Sequence, residues 1–200
     1  MDMRVILAAL LCLCLPAIEA HAVPVPSEQL DSAICWRGES GFVFGLPEGW
    51  QNDLQAAEQF NVCLMGVLNG TDFDNSPVIL YPIAFDRSPD QSPKEVADSV
   101  AQASLEIMLR APGGEKVSVR AGDSFTTPEN LSVEVRYFDD GPHPNVFEAV
   151  AYVMHHTAAL GLILSAKTID ARDQSLPALL QVARECVPMR VIDEQKPTEK

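Results

Sequence analysis

The stretch from Ser92 to Gly114 constrains the fold more than any other part of the sequence. Ser92-Pro93-Lys94-Glu95 combines a capping hydroxyl, a proline at the first helical position and a glutamate placed to close a capping box. Pro112-Gly113-Gly114 stops the helix near Arg110. Between these signals Val96, Val100, Ala103 and Ile107 recur at helical spacing with Met108 beside them, so this face is expected to pack on a sheet. On both sides of the helix the period changes to two. Over 116–121, Val117 and Val119 alternate with Lys116, Ser118 and Arg120; over 131–138, Leu131, Val133, Val135 and Tyr137 alternate with Ser132, Glu134 and Arg136. Further strands are expected at 146–154 and 160–167, before a helix at 176–187. Upstream, Phe42, Phe44 and Leu46 mark a strand, 53–60 a short helix, and 62–68 and 77–85 two more strands, with Pro82 pointing to an edge position or a bulge. This order lacks βαβ alternation. It implies an α+β fold: an antiparallel sheet of about six to seven strands flanked by two main helices.

The N-terminus reads as an export signal. Arg4 precedes an apolar run from Val5 to Leu15, too short to span a bilayer, which Pro16 ends. Ala20-His21-Ala22 offers small residues at the two positions a signal peptidase reads, so cleavage is expected after Ala22, with Ala20 as second choice. The expected organisation is a signal peptide over 1–22, a flexible leader over 23–33 that opens Val23-Pro24-Val25-Pro26, a single domain over 34–190 and a polar tail over 191–200. No later segment has the length of a membrane span, and the expected location is secreted or periplasmic.

Fourteen Lys+Arg against 28 Asp+Glu give a formal charge of −14, and removing Asp2, Glu19 and Arg4 with the signal leaves −13. Nucleic acid and anionic lipid would be repelled over most of such a surface, which excludes them as main partners; a protein partner is expected, although the charge itself does not choose between a protein and a small molecule. Cys12 and Cys14 leave with the signal. Cys35, Cys63 and Cys186 then face an oxidising compartment, enough for one bridge and one spare thiol. Cys35 and Cys186 flank predicted elements whereas Cys63 lies inside an apolar run, so a Cys35–Cys186 bridge is favoured, with Cys63 as a small buried hydrophobe. The spacings fit neither a zinc ribbon nor a thioredoxin-like motif.

Gly41-Phe42-Val43-Phe44-Gly45-Leu46-Pro47-Glu48-Gly49-Trp50 resembles the opening of the PsbP-like and DcrB-like group, a strand followed by P-x-G-W. The capped helix, the run of strands after it and Leu162-Ile163-Leu164-Ser165-Ala166 ahead of a last helix are similar to that group too. The resemblance spans roughly residues 40–188 and implies an α+β sandwich, shared with a Ran-binding import factor, in exported or organelle proteins that mostly bind rather than catalyse. It brings no catalytic residue and no cofactor. Pro47, Gly49 and Trp50 are implied to be structural, and the basic docking patch of the photosynthetic members is missing from this sequence.

Hydrolase elbows, zincin motifs, P-loops and dinucleotide-binding glycine patterns do not occur. Asp72-Phe73-Asp74-Asn75-Ser76 resembles the start of a calcium loop, but Pro77 stands where the turn glycine belongs and Ile83 where the bidentate glutamate belongs, which favours a solvated turn. Asp139, Asp140 and His143 carry zinc or manganese ligand types in one predicted turn. His155 and His156 are adjacent, so alternation directs them to opposite faces. Ser40, His155 and Asp139 supply the residue types of a hydrolytic triad without any spacing that brings them together.

Two readings follow. The favoured one is an exported, non-catalytic binding or accessory protein with an exposed apolar or aromatic patch between the sheet and the helices. The alternative is an exported hydrolase-like enzyme or metal-binding protein, in which His143, His155 or His156 meets Asp139 or Asp140 in a pocket.

Overall fold

The computed structural model describes residues 32–140 and 146–190. The expected signal peptide with its cleavage points at Ala22 and Ala20, the leader up to Asp31, His143 and the tail 191–200 lie outside the described residues. The elements in chain order are β1 (Ser32–Arg37), β2 (Ser40–Gly45), β3 (Trp50–Asn52), α1 (Leu54–Phe60), β4 (Gly66–Leu68), β5 (Val78–Asp86), α2 (Pro93–Arg110), β6 (Ser118–Thr126), β7 (Ser132–Asp139), β8 (Phe147–His155), β9 (Ala158–Ala166), α3 (Ile169–Arg184) and β10 (Val187–Arg190).

Among the described residues, seven strands form one antiparallel sheet in the order β3-β4-β5-β9-β8-β7-β6. Strands β6 to β9 run as a meander, and β9 returns to lie beside β5 over nine register pairs from Val78–Ala166 to Asp86–Ala158. The α+β class, the antiparallel sheet and a main helix on each face are as expected. β4 reaches only to the Gly66–Leu80 pair, so Pro82 sits where β5 has lost its neighbour on that side, the edge setting a proline tolerates.

α2 starts as its sequence dictates: the Ser92 hydroxyl accepts from the Glu95 amide at 3.3 Å, and the Glu95 carboxylate accepts from the Ser92 amide at 2.8 Å. Its buried stripe is Val96, Ala97, Ala101 and Met108, which pack on Ile79, Tyr81, Phe138, Val150 and Ile163. Ala103 is exposed rather than part of that stripe, because it lies two positions, about 200°, round the helix from Ala101. The opposite face of the sheet is covered by Leu179, Val182 and Ala183 of α3 and by Phe42 and Phe44 of β2. Covered on both sides, β9 is buried along its whole length and β8 at all but its two ends.

Three expectations are corrected. The strand holding Phe42 and Phe44 does not join the main sheet; it is the centre of a separate three-stranded sheet, β1-β2-β10, of whose outer strands Ser32 and Ala33 were expected in the leader, Val187 at the end of the last helix and the other residues in no element. Ser32 and Ala33 are therefore strand rather than leader. The last helix begins at Ile169, capped by Thr168, whose hydroxyl accepts from the Ala171 amide at 3.1 Å, and it carries Pro177 inside it.

The favoured disulfide is also wrong. Cys35 bridges Cys63, with 5.8 Å between their α-carbons, and Cys186 is a buried free thiol. The small sheet explains why. β1 and β10 flank β2 on opposite sides, so Cys35 on β1 and Cys186 just ahead of β10 stand two strand spacings apart, about 9.5 Å, beyond the roughly 7 Å a bridge can span.

Candidate binding surface

Alternation along β1 and β10 sorts their side chains into two sets. Ala33 and Cys35 on β1, and Pro188 on β10, share the inner face with Phe42 and Phe44, which are 0% and 2% exposed. Ile34 and Trp36, with Val187 and Met189, point the other way. They are 45%, 43%, 43% and 38% exposed and make up four of the seven large hydrophobic residues exposed among the described residues. The register assembles them into rows. Ile34 and Val187 flank Val43, and Trp36 and Met189 flank Gly41, so the outer face of the small sheet is apolar across all three strands. The Trp36 ring occupies the space over Gly41, where a β-carbon would fall 2.8 Å from it.

At the Trp36 end the rim is basic in an otherwise acidic protein. Arg37 pairs with Asp86 at 2.7 Å, and Arg37 and Arg190 flank Ser40 in the register. His155 lies beneath, edge-on to Phe42 at 6.2 Å and 4.8 Å from the His156 ring. Burial, and then the nearby Arg190, push the His155 imidazole below its usual value.

The residues singled out for chemistry do not assemble. Asp139 ends β7 and His155 ends β8, and the pairing of Phe138 with Glu148 and of Ser132 with Met154 sets them at opposite ends of the sheet, about 26 Å apart at 3.3 Å per strand residue. Neither the Ser40, His155, Asp139 set nor a site combining Asp139 or Asp140 with His155 or His156 exists. Asp139 is instead engaged by Arg120 at 2.9 Å and by Arg172. Burial works against its charge, but the two guanidinium groups outweigh it and hold the carboxyl below the usual carboxylate range. Asp140 takes a left-handed conformation at φ 57°, and His143 lies outside the described residues. In the calcium-like stretch the Asp72 carboxylate accepts from the amide and side chain of Asn75, closing a local turn. Pro47 and Gly49 form the turn foreseen for them: the Trp50 amide donates to the Pro47 carbonyl at 3.2 Å, Gly49 has φ 87° and Trp50 is buried.

The sequence reading missed three buried charged side chains, of which Arg172 is the partner of Asp139 and the other two are Arg136 and Glu148. Arg136 is 3% exposed and fully engaged: its guanidinium donates to Asp98 of α2 at 2.7 Å, to Glu134 at 3.2 Å and to the Val135 carbonyl at 2.7 Å. It pins α2 to the sheet and floors a shallow cleft of about 200 Å³ shared with Gln102 and Val119. Glu148 is 2% exposed and its Oε1 has no hydrogen-bond partner. Burial pushes its carboxyl up to about 7, against the pull of a hydrogen bond from Ser165, and Glu148 in turn adds to the burial that raises the Tyr81 hydroxyl. A lone glutamate between Phe147 and the run Ala149-Val150-Ala151-Tyr152-Val153 was the available signal. For the apolar face it was the alternation Ile34-Cys35-Trp36 and Val187-Pro188-Met189, in strands too short to stand out.

No family model and no curated protein matches the chain. Solved structures similar to it include two of a size close to its own. The solution structure of cyanobacterial PsbP (CyanoP) from Synechocystis sp. PCC 6803 is 12% identical with a TM-score of 0.48, over 86% of this chain and 98% of that one. The crystal structure of LpqN, involved in cell envelope biogenesis of Mycobacterium tuberculosis, is 14% identical with a TM-score of 0.49, over 81% and 92%. Among the described residues no helix is long and apolar enough to cross a membrane.

Proposed function

We propose that the protein is an exported, non-catalytic binding or accessory protein, secreted or periplasmic, which docks a protein partner through the outer face of β1, β2 and β10. The observation that carries this reading is the apolar row structure of that face, with Ile34, Trp36, Val187 and Met189 all turned to solvent where alternation would ordinarily place polar residues. A half-exposed tryptophan beside aliphatic side chains is the composition of an interface centre. The Cys35–Cys63 bridge is consistent with an oxidising compartment.

The test is differential capture from envelope extract. The wild type, the double variant Trp36→Glu with Met189→Glu, and the control Gln102→Glu on the opposite side of the sheet are compared after their folding is matched by circular dichroism. The reading expects one partner retained by wild type and control and lost with the double variant. The same captured set from all three sinks it.

A further inference from the structure

We infer that the open end between the two sheets, where Arg37, Ser40 and Arg190 face His155, is a binding site for a single carboxylate group. The register builds it from two facing rows. In the small sheet Ser40 is the partner of Arg37 on one side and of Arg190 on the other, about 4.8 Å away each way, and alternation puts all three on the inner face with Phe42 and Phe44. In the main sheet Ala158 is the partner of both Asp86 and His155, and alternation puts these two on the side that the small sheet covers, with Ala84 and Val153. Two contacts join the rows: Arg37 reaches Asp86 at 2.7 Å, and the His155 ring meets Phe42 edge-on at 6.2 Å. Arg190 stands close enough to His155 to disfavour a second positive charge there.

The side chains at this end hold donors that the described residues do not use. Arg37 gives Asp86 one Nη2–H, so the rest of its guanidinium fork is open. Arg190 is exposed and pairs with no carboxylate among the described residues, and Glu39, in the turn between β1 and β2, pairs with neither arginine. Ser40 is 2% exposed, and its hydroxyl has no hydrogen-bond partner among the described residues; nor has the buried Nδ1 of His155. The buried guanidinium groups elsewhere are spent, Arg136 on Asp98 and Glu134 and Arg172 on Asp139 and Asp173. Asp86 balances Arg37 and leaves Arg190 uncompensated, in a chain whose formal charge is −14. One positive charge matches a monoanion. A planar carboxylate can take parallel N–H donors from a guanidinium fork and a further one from the Ser40 hydroxyl, whereas a phosphate dianion would leave an excess negative charge beside Asp86. Two sources present such a group: a free small organic acid, or an acidic side chain or C-terminus of a protein seated on the neighbouring Trp36 and Met189 row.

The experiment follows the ring resonances of His155 by NMR in the exported protein at neutral pH while sodium acetate is added, with sodium chloride at equal ionic strength as the reference. The site expects a saturable shift with acetate that chloride does not give, roughly tenfold weaker in affinity or more in Arg190→Gln and unchanged in Arg110→Gln, an exposed position at the end of α2 on the far side of the main sheet. No saturable shift in the wild type overturns the site, and so does the same shift in Arg190→Gln or its loss in Arg110→Gln. Capture from envelope extract separates the two sources: Arg190→Gln loses the partner where the carboxylate is the partner's and keeps it where the carboxylate is a free acid. Acetate binding is read without any partner, so the site stands or falls apart from the docking surface.

Discussion

The indole of Trp36 lies over Gly41, its register partner across the β1–β2 ladder, so closely that a β-carbon at position 41 would come within 2.8 Å of the ring. Glycine here serves the side chain next to it: it lets a large aromatic ring lie down on the sheet and leaves its outer face available. Gly41→Ala is therefore expected to lift the indole. Because the ring is 43% exposed and free to swing outward, and alanine also lowers the entropy of the unfolded chain, stability should change by no more than about 1 kcal/mol. Urea denaturation checks the stability and the tryptophan emission maximum checks the displacement; unchanged emission would mean that the ring does not rest there.

Glu148 predicts a pH dependence of unusual direction for a carboxyl. Its folded value, about 7, lies above the ordinary 4.5, so the folded state holds the proton more tightly than the unfolded chain. The associated stability is fully present below pH 4.5 and is lost as pH rises through about 7, for a total of about 3 kcal/mol. Chemical denaturation of wild type and Glu148→Gln at pH 5 and pH 8 isolates this group from the other acids. The wild type should lose about 2 to 3 kcal/mol relative to the variant across that interval, and parallel behaviour would show Glu148 to be ionised in the fold.

Arg136 and Lys94 both meet Asp98, from very different surroundings. Arg136 is buried, and removing it strands Glu134 in the sheet and unpins α2, so Arg136→Ala should destabilise by about 3 kcal/mol or more. Lys94 is exposed, and Lys94→Ala should change stability by no more than about 0.5 kcal/mol. Denaturant midpoints rank the two, and similar losses would contradict the assignment of Arg136 as the clamp.

Peptide mapping without reduction is expected to return Cys35 linked to Cys63. The Cys35→Ser, Cys63→Ser variant should lose about 3 to 4 kcal/mol, from the freedom regained by a loop of 28 residues. Cys186 is buried and its thiol is pushed up to about 12, so it should resist thiol reagents until the protein unfolds, and Cys186→Ala should leave the bridge intact.

How much of this was legible in the sequence follows from the length and regularity of each signal. Ser92 and Glu95 announce α2 because both halves of its cap are local, and the strands around Val133 and Val135 announce themselves by a long period-two run. β1 and β10 are six and four residues long and gain their meaning only by pairing with β2 from both sides, a relationship between residues about 150 positions apart that no local pattern encodes. The mistaken bridge is a consequence: without β2 between them, Cys35 and Cys186 look like neighbours. Asp139 and His155 likewise look like site partners until the β7–β8 register sends them to opposite ends of the sheet. An apolar or aromatic patch was expected between the sheet and the helices; the exposed apolar face lies instead on the outer side of the small sheet, in strands that went unrecognised.

The outer face of β1, β2 and β10 is the proposed docking surface for a protein. Site-specific photocrosslinking tests it most directly, with a photoreactive side chain in place of Trp36 in one protein and of Leu109, exposed on α2 across the sheet, in another, each irradiated in the living host. A discrete heavier adduct from position 36, absent from position 109, is the result predicted. No adduct from position 36, or the same adducts from both positions, would contradict it.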